Sequence, residues 1–260
     1  MNIIVCIKQV PDTTEVRINP QTGTLIRDGI PSIMNPDDKA GLEVALRLKD
    51  KYGAVVTVVT MGPLQADKVL REAFAMGADR AVLLSDRAFS GADTWATSST
   101  IAAAIEKLDY DLIIAGRQAI DGDTAQVGPQ IAEHLHVPNV SYVEELDVDG
   151  DSIIVKRQFE DRYHVVKVKT PCLVTVLSEI NVPRYMTPGG IFSAYDEKEV
   201  EIWTLDDVTI TPDRLGLKGS PTQVKKSFAK SVKAPGSIVK LNGAEAADYI
   251  IEKLQEKFII

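Results

Sequence analysis

Apolar positions along this chain fall into short continuous runs that alternate with amphipathic stretches. Asn2–Ile7, Val55–Thr60, Arg80–Leu84 and Leu112–Ala115 each read as a strand buried on both faces. Between them the spacing turns helical. Gly41, Val44, Ala45, Leu48 and Tyr52 mark one helix face, opened by Asn35-Pro36-Asp37-Asp38 and closed by Gly53. Val69, Ala73 and Met76 mark a second, closed by Gly77. Asp93 or Thr94 opens a third that ends near Leu108, and Ile131, Ala132 and Leu135 mark a fourth. Strand and helix in repeated alternation predict an α/β fold, a doubly wound and mostly parallel sheet with helices on both faces.

The texture changes after Pro138. Val140–Val148, Ile153–Phe159, Tyr163–Val168 and Cys172–Leu177 are strand-like, with a strong hairpin turn at Asp149-Gly150. They predict an antiparallel extension of the same sheet or a small meander packed on it. A further hairpin is expected near the start, where Val16–Ile18 and Thr24–Ile26 flank Pro20–Gly23. Asn181–Phe192, with its prolines and glycines, is expected to be a loop presenting apolar and aromatic groups. Glu201–Leu205 reads as extended. Leu215–Ile238 reads as a linker or arm with local positive charge at Lys225, Lys226, Lys230 and Lys233. Behind Asn242-Gly243, the residues Ala247, Ile250, Ile251, Leu254 and Phe258 recur at helical spacing. That apolar stripe needs a cover, and the arm's low core content favours another chain over the helix's own domain. The organisation expected is a nucleotide-binding α/β domain over 1–190 and a C-terminal arm with its helix over 191–260.

The densest chemistry lies between the strand at Leu112–Ala115 and the helix that follows. Gly116, Gly122 and Gly128 are set among Arg117, Gln118, Asp121, Asp123, Thr124 and Gln126. In a parallel sheet such a loop sits at the carboxyl edge, where ligands bind. Glycines admit close backbone approach, and a helix start offers unpaired N–H groups to an anion. Thr124 and Gln126 add neutral partners, and Asp121 or Asp123 could accept from a ribose hydroxyl. The residues therefore read as a nucleotide loop, with a polar connection whose aspartates cap turns as the alternative. Likewise Asn35–Asp38 is accounted for by a helix start alone.

Net charge of −8 argues against a nucleic-acid surface. Apolar runs are too short for membrane insertion, and the opening MNIIVCIK has no signal-peptide pattern, so a cytoplasmic protein is expected. Cys6 and Cys172 each lie in an apolar strand and are expected to be buried free thiols. No phosphate-loop motif, C-x-x-C or clustered histidine set is present, so no metal centre is expected. His134, His136 and His164 are expected in core or surface roles. No nucleophile–base spacing stands out, and no catalytic side chain is assigned.

The run GRQAIDGDTAQVGP closely resembles the signature of the beta subunit of electron transfer flavoproteins. IIVCIKQVPD, MNPDDKAGLEVALRLK, TMGP, AFAMGADRAVLL and NVPRY extend the resemblance over nearly the whole chain, in the order the family shows. It implies an adenine-nucleotide-binding, Rossmann-like domain whose C-terminal arm embraces the alpha subunit, which carries its own FAD. It implies nucleotide contacts from Cys6 with Lys8 nearby, from Asn35, Pro36, Asp37, Asp38 and Met61, and from Gly116 and the loop. In that loop the residues are Asp121, Gly122, Asp123, Thr124, Ala125, Gln126, Val127, Gly128, Pro129 and Ala132. The segment carrying Arg184, Tyr185, Met186, Ile191 and Phe192 resembles the family's recognition loop for acyl-CoA dehydrogenases.

The family holds either structural AMP or a second FAD in this subunit. GDTAQVGP and GADTWAT are similar to sequences of the anaerobic, electron-bifurcating type. Pro188-Gly189-Gly190 followed by Ser193–Glu197 departs from the respiratory recognition loop. The resemblance then implies an FAD that accepts hydride from NADH. Electrons would be divided between a low-potential ferredoxin or flavodoxin and, through the alpha-subunit FAD, an acyl-CoA dehydrogenase. The alternatives are a simple electron carrier with structural AMP and, in another class, an ATP- or AMP-binding regulator of the stress-protein type.

Overall fold

The computed structural model describes residues 1–12, 31–225 and 236–260. The early hairpin and Lys226, Lys230 and Lys233 lie outside the described residues. Contacts divide the chain into two compact units, Met1–Ser227 and Phe228–Ile260.

The first unit runs β1 (Asn2–Cys6), β2 (Gln9–Pro11), β3 (Ser32–Met34), α1 (Pro36–Tyr52), β4 (Val55–Met61), α2 (Asp67–Met76), β5 (Arg80–Leu84) and α3 (Thr94–Ile105). It continues with β6 (Leu112–Gly116), α4 (Val127–His134), β7 (Asn139–Asp149), β8 (Ser152–Gln158), β9 (Tyr163–Lys169), β10 (Cys172–Val176), α5 (Pro188–Asp196) and β11 (Glu201–Trp203). The second unit contains α6 (Gly243–Glu256), whose cap is reciprocal: Asn242 accepts from Glu245 N, and the Glu245 carboxylate accepts from Asn242 N.

One nine-stranded sheet has the order β11-β5-β4-β1-β6-β10-β7-β8-β9, and β2 and β3 form a separate antiparallel pair. All neighbours from β11 to β7 are parallel; β7, β8 and β9 are antiparallel. The strand-like runs after Pro138 thus extend the sheet. Cys172–Val176 departs from expectation, because it turns back between β6 and β7 and runs parallel to both. Its residues are buried throughout, the pattern of an inner parallel strand rather than of a half-solvated meander.

Two apolar layers enclose the parallel part of the sheet. Ile3, Val5, Val58 and Ile114 face α1 and α2, while Ile4, Cys6, Val59 and Ile113 face α3 and α4. The chain leaves β1 toward β4 on one side and returns at β6 on the other, so the winding reverses between β1 and β6. A crevice opens at the carboxyl ends of such a pair.

The segment expected as a continuous loop is partly helical. Thr187 Oγ1 accepts from Gly190 N at 3.0 Å, Pro188 occupies the first turn, and α5 follows. Gly190 lies against the Ala75 carbonyl of α2, where a Cβ would not fit. The glycine that reads as a helix breaker is the one that lets two helices meet. Residues 191–225, placed in an arm by the sequence pattern, lie within the first unit: β11 pairs with β5, and Leu215 is buried.

Candidate functional site

At the carboxyl ends of β1 and β6, the first turn of α1 stitches the strands together. Asp38 Oδ2 accepts from Lys8 N at 2.8 Å and Oδ1 accepts from Gly116 N at 3.1 Å. A Cβ on Gly116 would meet Asp38 Oδ1 and would stand 2.8 Å from Asp37 Cβ, so the approach requires glycine. Burial pushes the Asp38 carboxyl up to about 7, against the pull of hydrogen bonds from Asn35, Lys8 and Gly116. Burial also raises Asp37 above its usual range despite the Arg117 guanidinium. Their facing atoms, Asp37 Oδ2 and Arg117 Nε, are 3.5 Å apart and make no hydrogen bond.

Asn35 is fully buried, and its amide bonds the loop. Its Nδ2 donates to the Gln118 carbonyl at 2.8 Å and its Oδ1 accepts from Ile120 N at 3.1 Å. Lys8 Nζ pairs with Asp121 at 2.6 Å across the crevice. Gln118 Nε2 donates to Asp123 Oδ1 at 2.8 Å. So fastened, the loop holds Asp123 and Ala125 at φ of 50° and 52°, a left-handed conformation that costs energy in non-glycine residues.

Beyond the loop, α4 begins with no side chain capping its amides. Those of Val127 and Gly128 have no acceptor within the helix. Gly128 packs where a Cβ would stand 2.6 Å from Thr175 Cγ2, seating α4 on β10. Across the crevice, Thr94 Oγ1 meets Gln126 Oε1 at 3.2 Å. Asp93 caps α3 by accepting from Ala96 N at 3.0 Å, and it accepts from Thr222 N at 2.9 Å. Burial alone would raise Asp93, but these bonds hold it below the usual carboxylate range.

The expected residues thus meet at one sheet edge but divide by position. Lys8, Asp121, Ala125 and Val127 border the crevice half-exposed or exposed, and Gly122, Asp123, Thr124 and Gln126 are exposed. Half-buried Met61 packs against the α3/α4 layer, and Pro129 is half-buried in the first turn of α4. Cys6, Asn35, Asp38, Gly116 and Gly128 are buried supports. Exposed Pro36 and buried Asp37 open α1, with Asp37 turned toward Arg117. Ala132, at 1% exposure, is packed in the α3/α4 layer. Thr94, which the sequence marks only as a possible helix start, also borders the crevice. Its signal was the GADTWAT stretch, whose tie to Gln126 only the fold makes visible.

Away from the crevice, Tyr185, Met186, Ile191 and Phe192 are exposed, Tyr185 at 95%. Arg184 is turned inward, its Nε donating to Glu43 at 2.8 Å.

A model of the electron transfer flavoprotein domain matches residues 22–208. The chain belongs to the electron transfer flavoprotein beta subunits. It is 62% identical over its full length, and over the full length of the relative, to an electron transfer flavoprotein subunit beta of Clostridium acetobutylicum. With both chains again fully covered, it is 55% identical to the caffeyl-CoA reductase-Etf complex subunit CarD of Acetobacterium woodii. It is 48% identical, on the same coverage, to the acryloyl-CoA reductase electron transfer subunit gamma of Anaerotignum propionicum. For a beta subunit of this family the crevice has the right donors. The uncapped α4 amides suit a phosphate, and exposed Thr124 and Gln126 suit a nucleoside.

Among the described residues no helix is long and apolar enough to cross a membrane, and no His, Cys, Asp and Glu group could hold a metal. Cys6 and Cys172 are buried and free, as expected. His134 stacks edge-on against Trp95, centroids 4.6 Å apart, and contacts Ser99 Oγ at 3.1 Å, a packing role.

Proposed function

We propose that this beta subunit holds FAD in the crevice between β1 and β6 and works in an electron-bifurcating flavoprotein in the cytoplasm. NADH would be the donor. A ferredoxin or flavodoxin would be one acceptor, and an acyl-CoA dehydrogenase, reached through the alpha-subunit FAD, the other. The observation that carries the nucleotide site is the strained loop at Asp123 and Ala125 running into the uncapped start of α4. Strain of this kind persists where surrounding bonds over-determine it, here those of Asn35, Lys8 and Gln118.

When bound, a flavin supplies two-electron exchange with a nicotinamide and one-electron exchange with carriers. The chain's own residues would bind and orient it. The amides of Val127 and Gly128 would face the pyrophosphate, and Thr124 and Gln126 would bond the nucleoside. Lys8, already paired with Asp121, would leave the site close to neutral. FAD over AMP is favoured by the resemblance of GDTAQVGP and GADTWAT to anaerobic sequences. A CoA-thioester oxidoreductase as partner is favoured by two relatives whose names place them with caffeyl-CoA and acryloyl-CoA reductases. Such a partner would dock on Tyr185, Met186, Ile191 and Phe192, and the arm with α6 would hold the alpha subunit.

The test is flavin and AMP content of the co-expressed heterodimer, followed by anaerobic NADH titration. FAD on both subunits and bleaching by NADH are expected. FAD on the alpha subunit alone, AMP here and no NADH response would replace this reading with a simple carrier holding a structural nucleotide.

A further inference from the structure

The exposed apolar segment at 182–195 is held unusually firmly for its composition. Val182, Tyr185, Phe192 and Tyr195 are largely in solvent, with no core of their own. A surface of this kind would sample many conformers and lose affinity in ordering them. Instead both flanks are fastened to helices. On one flank Arg71 donates to the carbonyls of Ala194 and Lys198 and lies over the Tyr195 ring, 5.4 Å from its centroid. On the other, Asn181 Nδ2 donates to the Ala40 carbonyl at 3.0 Å.

The centre of that second fastening is Glu43. Its side chain is 5% exposed on α1 and accepts from Arg184 three times, from N at 3.1 Å, Nε at 2.8 Å and Nη2 at 3.3 Å. Arg47 Nε donates to the same carboxylate at 2.8 Å and its Nη2 to the Val182 carbonyl at 3.3 Å. Asp50 Oδ2 accepts a fourth Arg184 bond, from Nη2 at 2.8 Å. One buried carboxylate therefore fixes the backbone immediately before Tyr185 and Met186. Burial pushes the Glu43 carboxyl up, yet the arginine bonds outweigh it and keep it ionised. Arg184, expected to touch a partner, is also bonded inside the subunit while its side chain stays 31% exposed.

We propose that Glu43 is the positioning residue for partner recognition. Through Arg184 it presents Tyr185 and Met186 in the conformation on which a CoA-thioester dehydrogenase docks. This rests on the reading that segment 184–192 faces that partner, and it adds the residue that sets the segment's geometry. Asn35 and Asp38 stand at the start of the same helix, while the hydrogen bonds of the mid-helix Glu43 side chain go to Arg47 and Arg184.

The test uses the intact, photochemically reduced heterodimer and a purified short-chain acyl-CoA dehydrogenase that the wild-type heterodimer serves, with crotonyl-CoA as acceptor. In Glu43→Gln the KM for the dehydrogenase should rise by about tenfold, from lost preorganisation, while kcat and flavin content stay unchanged. Glu43→Asp should recover most of the loss. Tyr185→Ala should raise the KM by itself. An unchanged KM in Glu43→Gln, with Tyr185→Ala raised, overturns the assignment of Glu43 alone. An unchanged KM in Tyr185→Ala sinks the docking surface. A parallel fall of kcat and flavin content in Glu43→Gln reduces Glu43 to a general structural role and also overturns the proposal. Should Glu43→Gln not fold, Arg184→Lys decides in its place, with a wild-type KM as the overturning result.

Discussion

Asp38 and Gly116 are 78 residues apart in sequence and joined by one hydrogen bond, Gly116 N donating to Asp38 Oδ1 at 3.1 Å. The bond closes the crevice floor between β1 and β6. It is possible because position 116 has no Cβ.

Gly116→Ala should therefore be poorly tolerated. The methyl would meet Asp38 Oδ1 and stand 2.8 Å from Asp37 Cβ. Overpacking of this kind costs about 1–3 kcal/mol. Chemical denaturation of the heterodimer should show the loss, and nucleotide content should fall with it. Wild-type stability in the variant would mean that α1 does not approach β6 this closely.

Asn35→Ala separates support from contact. It removes the bonds to the Gln118 carbonyl and the Ile120 amide, in a half-buried and an exposed residue, costing about 0.5–1.5 kcal/mol per bond. Because Asn35 is buried and directed at the loop, nucleotide affinity should drop through loop disorder, visible as faster amide exchange at 118–125. Lost affinity with unchanged exchange would make Asn35 a direct ligand instead.

Asp38 should give the chain an uncommon pH response. Its folded pKa is raised, to about 7 from an ordinary 3.8. The folded state then binds the proton more tightly than the unfolded state, so this group's stabilisation is complete below about 4 and is lost as pH rises through about 7. In Asp38→Asn the group no longer titrates, while Nδ2 now faces an amide donor. The variant should be less stable at low pH, and its deficit should shrink as pH rises toward neutrality. A pH-independent difference in denaturant midpoint would contradict the raised pKa.

Thiol chemistry gives a simple check on the strand cores. Burial pushes Cys6 up to about 12, helped by the Asp38 charge, and Cys172 up to about 11. Neither thiol should react with iodoacetamide at neutral pH in the native heterodimer. Both should react once denaturant unfolds it. Prompt native labelling of Cys6 would show that the end of β1 is open to solvent.

The sequence by itself determined the class of fold, the alternation of sheet strands and helices from β1 to α4, and the place of the crevice loop. These are written locally: runs such as LIIA exclude solvent-facing strands, and Asn35-Pro36 and Gly53 begin and end a helix by backbone chemistry alone. It also carried the likeness to the electron transfer flavoprotein beta subunits, which the family match upholds. Tertiary structure decided which residues line the crevice and which support it. Asn35 and Asp38 are expected as nucleotide contacts from a polar motif, and only the fold shows that their side chains also bond amides and carbonyls far along the chain. It likewise placed β10 between β6 and β7 and turned Arg184 inward to Glu43, 141 residues away. Such pairings depend on packing between distant segments, where burial and hydrogen-bond satisfaction are settled for the whole sheet at once. Local spacing records none of that.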